Sequence, residues 1–311
     1  MRSWVFIGVP SSAGAHHAGQ ELAPAALRAA GLLERLRAAG VPVSDGGDLP
    51  VTPFELDPAP DAVAGAAAGS AAAAVRFRNL AAVARVAGLV RDRVASAIAE
   101  GETPLVVGGD CTITLGVVAG FGRDVRLVYV DGDTDLGPAG NADTPGSGIL
   151  DSMGVAHLLG EGAPELTGLR GAVPLVSPER LALLGGDPRE TSGTGRAFLA
   201  ARGVHLDEGP SLAASPEGAV RRALAAVGSA GPLVVHFDAD VIDSGDLPLA
   251  NFPHYGSGVR PEQAFACLRE LCLAGSPSGI VLTEVNPTHD PSGVLLGRYI
   301  DGVAAALAAA R

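Results

Sequence analysis

Three short clusters of chemically capable side chains each follow an apolar run in this chain. Gly108-Gly109-Asp110-Cys111 follows residues 104–107, Asp131-Gly132-Asp133-Thr134-Asp135 follows 125–130, and Asp238-Ala239-Asp240-Val241-Ile242-Asp243 follows 233–237. Apolar runs of this length, bounded by Gly, Pro or Asp, read as buried parallel strands. Their carboxylates then emerge at the strand ends, the edge at which open α/β sheets bind ligands. Alternation along a strand predicts that Asp131, Asp133 and Asp135 converge, and likewise Asp238 and Asp240. Carboxylates gathered in this way repel one another unless a cation lies among them, and a pair of divalent metal ions is the simplest candidate. Any one of these aspartates alone reads equally well as a loop or helix cap; their joint spacing favours metal.

The elements that must position these groups alternate. Strand-like runs at 5–9, 105–107, 125–130, 173–176, 233–237 and 279–283 are separated by helix-like stretches at 23–39, 80–100, 112–118, 152–159, 178–184, 196–201, 216–227, 261–271 and 295–310. Strand followed by helix, repeated, predicts an α/β fold with three α-β-α layers and a mainly parallel sheet, formed by residues 1–311 as one domain. Pro24, Pro178, Pro216 and Pro261 fall at first helical turns, where a fixed φ costs nothing. Two segments, 52–75 and 185–195, read as surface loops or insertions, and the first is long enough to act as a lid.

Composition narrows the partners. With 22 basic and 34 acidic residues the formal charge is −12, which argues against nucleic acid or an anionic membrane as partner and leaves a small-molecule substrate. Cys111, Cys267 and Cys272 form no spaced framework, which fits a reducing, cytoplasmic setting. The start of the chain lacks the pattern of a signal peptide, and no stretch reads as a transmembrane helix.

Taken together the clusters resemble those of the ureohydrolase family of arginases and agmatinases, whose signatures are Gly-Gly-Asp-His, Asp-x-His-x-Asp and Asp-x-Asp-x-x-Asp. The likeness begins at Gly8-Val9-Pro10, runs through Gly19-Gln20-Glu21 and Pro24-Ala25-Ala26-Leu27-Arg28, and ends at Thr283-Glu284-Val285-Asn286-Pro287. It implies an arginase-like fold and two manganese ions held by Cys111, Asp131, Asp133, Asp135, Asp238 and Asp240, with Asp131 and Asp238 bridging. It implies metal-dependent hydrolysis of the C–N bond of a guanidino, hydroxyguanidino or related amidine compound, with Glu284 facing the guanidinium group. Carried over by position, Ser147 and Ser177 fall where the family's Ser-Gly-Asn segment and later Asp-Pro grip the amino-acid head group, and Asp151 falls where a histidine shuttles protons. The family's members are often trimers or hexamers, whereas the final helix here carries no tail to clasp a neighbour, which favours a monomer or dimer.

Three departures all replace histidine: Cys111, Asp133 and Asp151 stand where the family has it. The six-ligand set is thereby two charges more negative than usual, which tightens metal binding but raises the pKa of bound water. Two alternatives therefore stay open: a catalytically silent metal- or ligand-binding module, and a single-metal amide deacetylase on the related fold. Of the other histidines, His289 beside Asp290 is a replacement proton shuttle or part of a cap. His254 with Tyr255 reads as a pocket-lining, substrate-binding loop residue. His236, one step deeper than Asp238 on the same strand face, reads as a hydrogen-bond donor to a ligand carboxylate or as a core histidine.

Overall fold

The computed structural model describes residues 3–57, 77–137 and 147–310. Eight strands form one parallel sheet: β1 (Trp4–Gly8), β2 (Val43–Asp48), β3 (Thr103–Val107), β4 (Arg126–Val130), β5 (Leu181–Gly185), β6 (His205–Glu208), β7 (Leu233–Asp238) and β8 (Gly279–Thr283), in the order β2-β1-β3-β8-β7-β4-β5-β6. Central strands are buried on both faces, which is why they read as unbroken apolar runs. Alternation divides them between two cores. Val128, Val130, Val235 and Phe237 pack with the helices Ala23–Ala29, Leu32–Ala38, Pro216–Val227, Pro261–Glu270 and Val294–Leu307. Leu127, Tyr129 and Val234 pack with Leu80–Ala99, Ile113–Phe121 and Gly193–Arg202 on the other face. The result is the three-layer α/β architecture that the strand–helix alternation predicts.

Several expectations need correction. Residues 173–176 do not form a strand, and Val173 is exposed. The expected helix at 178–184 is a single 3-10 turn, Pro178–Arg180, running into β5. The Leu-Ala-Leu-Leu sequence of β5 favours helix, but its slot between β4 and β6 buries every residue, and burial overrides propensity. The two strands missed altogether, β2 and β6, are the polar edges of the sheet and lack the alternation that marks a half-buried strand. The stretch 23–39 divides at Gly31, whose φ of 91° ends one helix and starts the next. The lid expected within 52–75 lies outside the described residues from 58 onward. The 185–195 loop is more than surface: Asp187 and Thr191 are buried.

One packing feature fixes the start of the site. Cys111 leads into the helix Ile113–Phe121, which crosses Leu80–Ala99 with Gly116 against the carbonyl of Ala87 and Gly120 against that of Arg91. A β-carbon at Gly120 would lie 2.8 Å from the Arg91 oxygen, and one at Gly116 would strike Ala87 and Val90. Gly116→Ala is expected to cost about 1–3 kcal/mol through overpacking, read by chemical denaturation. An unchanged midpoint would show that the two helices can separate freely.

Candidate metal centre and active site

The site lies along the carboxyl ends of β3, β8, β7 and β4, which are consecutive neighbours in the sheet. Turn geometry, not strand alternation, brings the aspartates together. Beyond Val130, the Asp133 amide donates to Asp131 Oδ1 at 2.6 Å, and Asp135 takes a φ of 45°. Beyond β7, the Asp240 amide donates to Asp238 Oδ1 at 2.7 Å within the 3-10 turn Ala239–Val241. The two loops are tied by the Gly132 amide, which donates to Asp240 Oδ1 at 2.9 Å. Asp110 is structural: its carboxylate accepts the amides of Gly14 and Thr112 and so shapes the loop that presents Cys111.

Three groups of donors result. In the deepest, Cys111 Sγ donates to Asp238 Oδ2 at 2.6 Å and lies 3.8 Å from Asp131 Oδ2, while His236 Nε2 stands 3.5 Å from Asp131 Oδ2. His236 is fully buried, with Thr114 Oγ1 at 2.7 Å from its Nδ1 and the Tyr129 ring stacked on it at 3.8 Å. The second group joins Cys111 to Asp151 and Glu284, with Asp151 Oδ1 accepting the Cys111 amide at 2.8 Å. The third is Asp133, Asp240 and His254. Asp135 stands beside them, its Oδ2 accepting the Tyr129 hydroxyl at 2.6 Å.

Electrostatics follow from burial. Desolvation, with Asp240 and the other neighbouring carboxylates adding repulsion, pushes Asp131 and Asp238 well above the usual carboxylate range. Asp151 and Glu284 are raised for the same reason, Asp151 further by Asp110 and Glu284 further by Asp151. Burial pushes the Cys111 thiol up and holds His236 down at about 3. Burial also works against the charge on His254, but Asp133 and Asp240 outweigh it and raise the imidazole to about 11. Charges of one sign packed this densely fit a cation, and carboxylate, imidazole and thiolate together suit first-row divalent ions. Two polar atoms support the fit: among the described residues, the buried Glu284 Oε1 and His254 Nε2 make no hydrogen bond.

A cleft of about 220 Å³ opens over these groups, lined among others by His16, Asp133, Asp151, Glu190, Phe252 and Glu284. Glu284 enters it at a φ of 62°, with Oε2 held by Gln20 Nε2 at 2.7 Å. A non-glycine residue in this conformation is strained, and such strain concentrates at functional positions.

Of the residues expected at the site, Cys111, Asp131, Asp133, Asp135, Asp151, Asp238, Asp240 and Glu284 come together. Four do not take the places expected. His289 is exposed, contacts Asn286 and does not line the cleft, while Asp290 caps the last helix by accepting the Leu296 amide. Ser147 is exposed, and its hydroxyl accepts the Ile149 amide. Ser177 precedes β5 and therefore lies at the opposite, amino edge of the sheet. The Asp-Pro on the active edge is Asp187-Pro188, just beyond β5, and reading 181–185 as a strand would have found it. His254 does not line the cleft; it is buried against carboxylates. Gln20, which orients Glu284, was legible only as part of the Gly19-Gln20-Glu21 segment.

The arginase family model matches residues 2–310, and the chain belongs to that family. Among curated relatives, the arginase of Bacillus caldovelox is 28% identical over 293 residues, which cover 93% of each chain. The solved structure of the Bacillus caldovelox arginase superposes with a TM-score of 0.81 at 24% identity, covering 100% of this chain and 98% of that one. The proclavaminate amidino hydrolase of Streptomyces clavuligerus superposes at 0.67 with 19% identity, covering 100% and 94%. No helix among the described residues is long and apolar enough to cross a membrane.

Proposed function

We propose that this protein is a metal-dependent hydrolase that cleaves the C–N bond of a guanidino, hydroxyguanidino or related amidine group in a small molecule, releasing urea or an analogue. The observation that carries this reading is Glu284. One carboxylate oxygen is fixed by Gln20, while the other is buried at the cleft without a hydrogen-bond partner among the described residues, beside Cys111 and Asp151. A buried acceptor without a donor is costly, and a planar, donor-rich guanidinium or amidinium group satisfies it. Family membership and the likeness to an amidino hydrolase support the same chemistry.

Two divalent ions, manganese in this reading, would be held by Cys111, Asp131, Asp135 and Asp238, and by Asp131, Asp133, Asp238 and Asp240. When bound they supply the Lewis acidity that activates water and polarises the reacting carbon. The chain's own groups do the rest. Glu284 orients the substrate so that its central carbon faces the carboxylate cluster. Asp151, whose carboxyl is pushed up by burial and by Asp110, has its Oδ1 committed to the Cys111 amide, which leaves Oδ2 to hold a proton at the cleft. That proton is delivered to the departing amine.

The cleft also limits the substrate. Its described lining contains acidic Asp133 and Glu190 and no arginine, and burial keeps the pKa of its histidine, His16, low. The Asp187 carboxylate, held by Arg189 and Ser257, does not line the cleft and so does not face a substrate ammonium. A substrate carboxylate would thus meet like charge, and the favoured class is a guanidino or amidine compound without one. Urea release from simple alkylguanidines and guanidinoamines is expected to exceed that from L-arginine by roughly tenfold or more in kcat/KM, equivalent to about 1.4 kcal/mol. Efficient turnover of arginine at millimolar concentration or below would sink the substrate assignment. Absence of urea or an analogue from every guanidino and amidine compound, at full metal occupancy, would sink the hydrolase reading.

A further inference from the structure

The motif that normally carries a histidine between its aspartates has Asp133 there, yet an imidazole still reaches this place from a different part of the chain. His254, on the loop after β7, turns its ring inward over Gly132. A β-carbon at position 132 would lie 2.6 Å from His254 Cδ2, so the glycine between Asp131 and Asp133 is what makes room for the ring. The loop is pinned on both sides of its backbone: the His254 amide donates to Ser244 Oγ at 3.1 Å, and the Ser244 amide donates to the His254 carbonyl at 2.9 Å. Phe252 packs edge-on to the ring at 5.6 Å.

Nε2 stands 3.4 Å from Asp133 Oδ2 and 3.8 Å from Asp240 Oδ2, and makes no hydrogen bond among the described residues. Nε2 therefore faces two carboxylate oxygens without being hydrogen-bonded to either. The separations are close to the spacing of donors that share one ion, since ligands at about 2.1 Å stand roughly 3–3.5 Å apart. The other ring nitrogen, Nδ1, faces Asp187 Oδ2 at 3.5 Å, and Asp187 is itself anchored by Arg189 and Ser257. Carboxylate, histidine and metal in that sequence is the arrangement by which proteins fix the tautomer and direction of a ligating imidazole.

We propose that His254 is a metal ligand, completing with Asp133 and Asp240 a site for a divalent first-row transition ion, and that Asp187 positions its ring. The inference rests on the two-ion reading given above and deepens it. The histidine lost from the second acidic motif has been replaced from a distant loop, so this ion keeps a neutral nitrogen donor although Asp133 is anionic. The donor set of one imidazole and two carboxylates selects manganese, iron, cobalt or zinc over calcium and magnesium.

The test uses the full chain stripped of metal and titrated with Mn2+ and Co2+ by calorimetry, for wild type, His254→Gln and Asp187→Asn, with folding of each checked by circular dichroism. Wild type is expected to bind two ions per chain. His254→Gln should lose one of them, or bind it about 100-fold more weakly. Asp187→Asn should keep both sites but weaken the same one by roughly 10–100-fold. In the Co2+ protein, proton NMR should show a strongly shifted, exchangeable ring N–H signal that is absent from His254→Gln. Where His254→Gln folds poorly, Asp187→Asn keeps the test decisive, because it should move the His254 signal while leaving any signal from His236, which does not contact Asp187, unchanged. Two tight sites in His254→Gln, with the shifted signals unchanged, would overturn the ligand assignment and leave the hydrolase reading standing. No binding of either ion by wild type would overturn both.

Discussion

Asp238→Asn is expected to abolish most metal binding and to erase the thermal stabilisation that metal confers. Asp238 is fully buried and stands between the donor groups: Oδ2 accepts Cys111 Sγ and Thr283 Oγ1, while Oδ1 accepts the Asp240 amide. The amide substitution keeps shape and one acceptor but removes the charge that a bridging ligand must supply. At a hundredfold excess over Kd, each bound ion adds about 2.7 kcal/mol, or several degrees in Tm for a domain of this size. That gain should vanish in the variant. The metal-free variant, by contrast, should be as stable as metal-free wild type or more so, because a buried carboxylate repelled by Asp240 has been removed. The measurements are elemental analysis and thermal melts with and without Mn2+. Unchanged metal stoichiometry in Asp238→Asn would rule out the bridging role.

Metal removal should also invert the pH dependence of stability. In the metal-free fold the proton affinities of Asp131, Asp151, Asp238 and Glu284 are raised by burial and by one another's charge. Unfolded, these groups titrate near pH 4, so above that pH the folded state holds protons that the unfolded state has released. Stability from these carboxylates is fully present below about pH 4 and is lost as pH rises through their folded values, by about 1.4 kcal/mol per group and pH unit while the proton is retained. His254, raised to about 11, acts in the same direction from its unfolded value near 6.5 upward. Asp240 is lowered and opposes them only below about pH 4, whereas His236, held down at about 3, opposes them up to its unfolded value near 6.5. With metal bound the dependence reverses, because ions displace protons from their ligands and bind more tightly as pH rises. Urea denaturation from pH 5 to 9 should therefore give curves of opposite slope for chelator-treated and Mn2+-loaded protein. Parallel curves would mean that the cluster is not where the ions bind.

The sequence alone determined the family and the layer architecture. Unbroken apolar runs followed within three residues by Asp or Glu read as strands buried on both faces that deliver carboxylates to one edge, and β3, β4, β7 and β8 followed from that pattern. Where burial is one-sided or absent, the pattern carries no signal, and β2 and β6 passed unseen. β5 was misread because its leucines suit a helix and only its neighbours make it a strand, an error that also sent the Asp-Pro assignment to Ser177 at the wrong edge. Tertiary structure decided the contacts that depend on distant segments meeting: Gln20 on Glu284, and His236 beneath Cys111 and Asp131. It also decided the place of His254, which spacing assigned to a pocket wall. Local spacing records which side chains a strand delivers to an edge. Which loop folds back to meet them is set by space, here the gap that Gly132 leaves, and a gap has no signature in the sequence until the residue that fills it is known.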